Sequence, residues 1–343
     1  MPLFNRTAIV LCTIGAAALL GGCGTNPIAG PAFCGDGGCS EDLQGAFSSL
    51  PGLGRIAFVE GAVSGRFHLY HVRPDGKNLV ALNDANDPAN YLWPSWSPDG
   101  GRIAYVTSLG SSPVYRLYLM NSEGKGRRMV LDYAGAIRAP AWSPGGDRMA
   151  YQGVDSAANG WDIFVISLDD TTRTNLTRSP GEDQLPSWSP DGSRIAFQSD
   201  RHDGTDIYLI DADGSNRVLL VGGDDSRNSA PSWSPAGDRI AFQSTRHLET
   251  VPEGVYFDQY EIYTMNAVGG DLRRHTFGSS QFTAAAYPSW SPDGRMIAFE
   301  ALEVDPSFLT QSHILILDLE SGALFQVPDL PPSVRFPRWS PVP

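Results

Sequence analysis

Two histidines stand 45 residues apart in matching surroundings, His202 in Gln198-Ser-Asp-Arg-His202 and His247 in Gln243-Ser-Thr-Arg-His247. Imidazoles in register could ligate a transition metal or exchange protons near neutral pH. The same frames hold Arg201 and Arg246, a residue type enriched at binding hot spots, and duplication of one Arg-His frame is the simpler account of the pair. Asp183, Asp225 and Asp211-Ala-Asp-Gly214 offer hard oxygen donors for calcium. None sits in an EF-hand loop, and acidic residues at tight turns are ordinary turn formers. The chain has no Gly-x-Ser-x-Gly nucleophile elbow. The expected cofactor is none, with calcium and a transition metal weighed and set aside.

Groups so far apart in sequence meet only if the chain repeats, and it does. Pro-x-Trp-Ser-Pro occurs six times, with Trp96, Trp142, Trp188, Trp233, Trp290 and Trp339 spaced 46, 46, 45, 57 and 49 residues apart. Between the copies lie short runs rich in Ile, Phe, Tyr and Val, such as Arg194-Ile-Ala-Phe197 and Asp206-Ile-Tyr208, cut by Pro-Asp-Gly and Ala-Asp-Gly turns. Such runs read as strands in hairpins, and Pro and Gly recur too often for helical repeats. Arg55, Arg102, Arg148, Arg194 and Arg239 head the second strand, while Asp162, Asp206 and Glu261 head the third. These two columns are expected to hydrogen-bond from blade to blade.

The chain enters the repeat at a second strand, Arg55 to Phe58, and finishes on an orphan first strand, Phe336 to Ser340. A ring lets the last strand complete the first unit and removes both raw edges. The expected fold is therefore all-β: a six-bladed β-propeller of four-stranded antiparallel blades over residues 54–343, closed by its C-terminal strand. Ser-Pro-Asp-Gly turns make one face flat. The other face carries long, irregular links, and binding residues sit on loops held by a rigid scaffold. Arg138, Asp183, Arg201, His202, Asp225, Arg246, His247, Tyr256, Tyr287 and Arg335 fall there and are the expected partner-binding residues.

Residues 1–22 read as an export signal: Arg6 precedes an apolar run from Thr7 to Leu20, too short for a bilayer span, ending in Leu20-Gly-Gly-Cys23. Those last four residues resemble the lipobox of bacterial lipoproteins, which implies cleavage before Cys23 and its acylation. Residues 23–53, rich in Gly, Pro and Ser, read as a tether in which Cys34 and Cys39 are expected to form a small disulfide. Export, lipid anchoring and, in a cell with two membranes, the periplasmic face of the outer membrane follow. With 25 basic against 38 acidic residues and a net charge of −13, the chain lacks the basic patch a nucleic-acid backbone requires. Its membrane contact is expected through the anchor alone.

The words Pro186 to Gln198 with Asp206 to Gly214, and Pro231 to Gln243 with Glu261 to Gly269, are similar to the WD40-like propeller repeat of the TolB family. The resemblance runs from about Gly54 to Pro341 and implies the propeller fold and binding of envelope proteins in the periplasm. TolB proteins proper carry an α/β domain before the propeller. The thirty or so residues between Cys23 and the first blade are too few for one. Some TolB-like propellers resemble oligogalacturonate lyases, with a channel-facing metal and a histidine set. The reading is thus a monomeric, non-enzymatic envelope lipoprotein that binds a protein or peptide. The rival is a metal-assisted, lyase-like or glycan-binding propeller built on His202 and His247.

Overall fold

The computed structural model describes residues 33–34 and 53–342, apart from 62–65, 110–113, 133–134, 155–159, 180, 203, 248–258, 278–283 and 305–309. Cys23, Cys39 and Tyr256 lie outside the described residues, as does the expected export signal. Strands are numbered in chain order, beginning with β1 (Phe33–Cys34). Blade one contains β2 (Ile56–Gly61), β3 (Phe67–Val72) and β4 (Val80–Ala81); blade two is β5 (Ala89–Trp96), β6 (Arg102–Leu109), β7 (Tyr115–Asn121) and β8 (Arg128–Asp132). Blade three is β9 (Ile137–Trp142), β10 (Arg148–Gly153), β11 (Asp162–Ser167) and β12 (Arg173–Asn175); blade four is β13 (Asp183–Trp188), β14 (Arg194–Ser199), β15 (Asp206–Asp211) and β16 (Val218–Val221). Blade five is β17 (Asn228–Trp233), β18 (Arg239–Ser244), β19 (Glu261–Asn266) and β20 (Arg273–Arg274); blade six is β21 (Ala284–Trp290), β22 (Met296–Val304), β23 (Thr310–Asp318) and β24 (Leu324–Gln326). The last strand, β25 (Val334–Trp339), pairs with β2 and closes the ring, with Ile56 opposite Trp339 and Glu60 opposite Val334. Ser340 and Arg55 lock the junction: the Ser340 N–H donates to the Arg55 carbonyl at 2.7 Å and the Arg55 N–H to Ser340 Oγ at 2.9 Å. β1 pairs in parallel with β24, so part of the expected tether joins blade six as a fifth strand.

The core lies between blades. Ala104 and Val106 of blade two pack with Met149 and Tyr151 of blade three, and Ile56 and Phe58 of blade one with Ala298 and Ile314 of blade six. Within five blades the aromatic residue of the second strand stacks on its register partner in the third, as in Tyr151–Phe164 at 5.4 Å and Phe242–Tyr263 at 5.8 Å. Such cross-strand pairs each add a few tenths to about 1 kcal/mol.

The motif words have specific structural roles. In Ser-Pro-Asp-Gly the glycine takes positive φ, and its N–H returns to the serine carbonyl, as from Gly192 to Ser189 at 2.9 Å. The serine Oγ accepts the N–H five residues on, Arg194 to Ser189 at 2.9 Å. Asp191, bonded by the Ser189 and Ser193 side chains and the Ser193 N–H, titrates at about 2. Tryptophan clasps the preceding blade: the Trp142, Trp188 and Trp290 Nε1–H groups donate to the Ser95, Ala141 and Ser232 carbonyls at 3.1, 3.2 and 2.9 Å.

The arginine column does not bond the acidic column, contrary to expectation. Arg55, Arg102 and Arg148 stack over Trp96, Trp142 and Trp188 of the next blade at 5.0, 4.8 and 5.0 Å. Asp162 instead accepts from Thr177, Asn175 and the Ser179 N–H of its own blade. The two columns occupy opposite ends of their strands, so they cannot meet.

Candidate functional site

The propeller axis is walled by the inner strands, each of which carries a bulge. One residue before the motif proline, Trp93, Ala139, Leu185, Ala230, Tyr287 and Phe336 all have positive φ, between 46° and 55°. A residue preceding proline is barred from the right-handed helical region, and a left-handed non-glycine residue is held only where its surroundings over-determine it. At four of these six positions a side chain of the neighbouring blade supplies the hold. The Leu185, Ala230 and Tyr287 N–H groups donate to Gln152, Gln198 and Gln243 Oε1 at 3.1, 3.3 and 2.8 Å. In the last junction Glu300 replaces the glutamine and accepts from the Phe336 N–H at 3.2 Å.

Three consecutive blades place an aromatic ring on this bulge. Tyr287 meets Phe336 edge-on at 4.8 Å, and Phe336 meets Trp93 at 5.8 Å. Trp93 continues to Tyr115 at the head of β7, at 6.4 Å. Over this row lies Arg138, whose guanidinium is 5.3 Å from the Trp93 ring centre, 5.8 Å from Tyr115 and 4.7 Å from Trp161. All six residues are half-buried. Arg138 makes no ion pair among the described residues, and its Nε is buried without a hydrogen-bond partner. Arg335 holds the same repeat position in blade one, is exposed, and likewise has no ion pair among the described residues. Burial pushes the Tyr287 hydroxyl up to about 12, so it remains a neutral donor.

This arrangement sits on the irregular face, where inner strands begin and the links between second and third strands run. Below it an axial cavity of about 190 Å³ is lined by Trp93, Pro140, Leu185, Ser232, Arg338 and neighbouring inner-strand residues. The platform can stack on planar or apolar groups while Arg138 and Arg335 attract carboxylates.

The other expected residues among those described make their contacts elsewhere. Arg201 donates through Nη2 to both oxygens of fully buried Asp183, at 2.7 and 2.9 Å, and is thereby committed to blade four. Arg246 pairs with Asp224 at 3.3 Å, while Asp225 is exposed. Blade five has Asn228 where blade four has Asp183, and Asn228 accepts instead from the Ser244 hydroxyl at 2.8 Å. His202 is exposed beside Tyr208 at 6.2 Å. His247 is half-buried, and burial, aided by Arg274, lowers its pKa to about 4. Among the described residues no three His, Cys, Asp or Glu side chains gather to hold a metal, so the two histidines acquire no third ligand there.

Trp93, Tyr115, Trp161 and Phe336 escaped the sequence reading. A signal existed: the chain has eight tryptophans, and Trp93 and Trp161 are the two outside Pro-x-Trp-Ser-Pro.

The fold and its mouth define a closed six-bladed propeller with an aromatic and cationic opening on its irregular face. The profile of the TolB beta propeller domain matches residues 42–253, and the chain belongs to that family. The Tol-Pal system protein TolB of Dechloromonas aromatica is 34% identical over 93 residues, 27% of this chain and 20% of that protein. The match thus spans about a fifth of that relative's length. Among solved structures, TolB from Acinetobacter baumannii superposes with a TM-score of 0.66 at 23% identity, covering 84% of this chain and 66% of that one. A putative TolB from Agrobacterium tumefaciens gives 0.61 at 22% identity, covering 82% and 91%. At such identities these superpositions speak for the fold.

Proposed function

We propose that this protein is a non-enzymatic, lipid-anchored component of the cell envelope that binds a protein or peptide partner at the mouth of its propeller. The observation that carries the reading is Arg138, unpaired among the described residues and stacked on Trp93, Tyr115 and Trp161. Tryptophan, tyrosine and arginine dominate binding hot spots, and a half-buried ring offers large contact area at small entropic cost. The chain as a whole, at −13, repels acidic groups, so Arg138 and Arg335, without ion pairs among the described residues, make the mouth the place where an acidic partner segment is favoured. The Tol-Pal naming of the relative in Dechloromonas aromatica supports an envelope partner. Cys23 after an apolar leader supports anchoring, with the propeller in the periplasm.

Affinity capture from solubilised envelopes tests this. The intact protein and Asp191→Lys, altered on the flat face, should retain the same partner. Arg138→Glu should lose it while melting normally. Equal recovery by all three would place recognition elsewhere.

A further inference from the structure

At the junction that closes the ring, two neighbouring positions carry a charged residue where the other blades carry none. In the inner-strand column before the tryptophan, blades two to six carry Ser95, Ala141, Ser187, Ser232 and Ser289, whereas blade one carries Arg338. In the column that holds the left-handed residue of the next blade, Glu300 stands where Gln152, Gln198 and Gln243 stand in the three preceding junctions.

Arg338 is the one charged residue among the described residues lining the axial cavity. Its Nη1 donates to the Pro337 carbonyl at 3.1 Å, and it makes no ion pair among the described residues. Arg338 is half-buried; a guanidinium has five N–H donors, and a cation drawn partly out of water without an anion is disfavoured. Burial lowers its pKa to about 10, so the group still carries its charge at neutral pH. Glu300, 4% exposed, acts on Arg338 through its charge, but its carboxylate is hydrogen-bonded to the Phe336 N–H and makes no ion pair with Arg338 among the described residues. Ser95, Ser187 and Ser232 line the same cavity and bring hydroxyls that can donate to oxygen. Its volume of about 190 Å³ equals roughly six waters at ~30 Å³ each. That is room enough for a small anion.

We infer that the axial cavity is a binding site for one small oxyanion, a carboxylate or a phosphate, held on the Arg338 guanidinium and the serine hydroxyls around it. This site adjoins the partner platform and shares Trp93 with it, but Arg138 does not line the cavity, so Arg138→Glu tests the platform and Arg338→Ser tests the anion site.

Titration calorimetry of the intact protein with acetate, succinate and inorganic phosphate at constant ionic strength tests the inference, and the tightest of the three separates a carboxylate from a phosphate ligand. At least one should bind. Arg338→Ser, which installs the residue four other blades use, and Arg338→Gln should each weaken it roughly tenfold or more, the loss of a charge-assisted hydrogen bond. Glu300→Gln, which removes the carboxylate acting on Arg338, should bind no more weakly. Crystals of the unaltered protein soaked in selenate should show the anomalous peak against Arg338. No binding by any of the three anions, unchanged binding in Arg338→Ser or Arg338→Gln, weaker binding in Glu300→Gln, or a peak absent from Arg338 would each overturn it.

Discussion

The Phe336 N–H donates to the Glu300 carboxylate at 3.2 Å, across the junction where the last blade meets the first. A glutamine would accept the same bond without a charge. Burial pushes Glu300 up to about 7, and the Phe336 N–H, Arg335 and Arg338 only partly oppose it. A carboxyl raised above its unfolded value holds its proton longer when folded, so its stabilising effect is complete below the unfolded pKa of 4.5 and disappears as pH rises through about 7. Relative to the parent, Glu300→Gln should therefore gain up to about 3 kcal/mol between pH 4.5 and 8. Denaturant titrations of both proteins at several pH values measure this, and parallel curves would refute it.

Asp183 and Arg201 should behave as one structural unit. Asp183→Ala strands a nearly buried guanidinium and should cost about 3–5 kcal/mol. Asp183→Asn reproduces the blade-five residue Asn228 and should cost clearly less. A double-mutant cycle with Arg201→Ala should return a coupling above about 1 kcal/mol; simple additivity would deny the pair.

The two kinds of tryptophan should separate cleanly. Trp142→Ala empties an inter-blade core and breaks the bond to Ser95, and should cost about 3–5 kcal/mol. Trp161→Ala removes a half-buried ring and should cost well under that, while weakening partner binding by about 2 kcal/mol, roughly thirtyfold. Thermal melts and binding titrations on the two variants decide the assignment.

Anchoring is separable from folding. Cys23→Ser should move the protein from the membrane to the soluble envelope fraction with its melting temperature unchanged. Retention in the membrane after that substitution would argue against acylation at Cys23.

Blade number, strand columns and ring closure were legible because each turn and core position repeats the same residue types, and the orphan strand Phe336 to Ser340 has one place to go. Individual pairings were less legible. Asp183 and Arg201 look like recognition residues until strand register sets them face to face, and the arginine column looks ready for carboxylates until inter-blade packing lays it on tryptophan. Arg138 and Tyr287 were visible as loop-face residues. Their company was hidden, because only a left-handed bulge turns Trp93 and Phe336 toward the mouth, and no local word announces positive φ in a non-glycine residue.

The most direct test is site-specific photocrosslinking in living cells. A photoreactive residue replacing Tyr115 on the platform should form a discrete adduct with the partner, and Arg138→Glu in the same chain should abolish it. The same residue replacing exposed Met129 on the outer strand should form none. Adducts from position 129 with none from 115 would contradict recognition at the mouth.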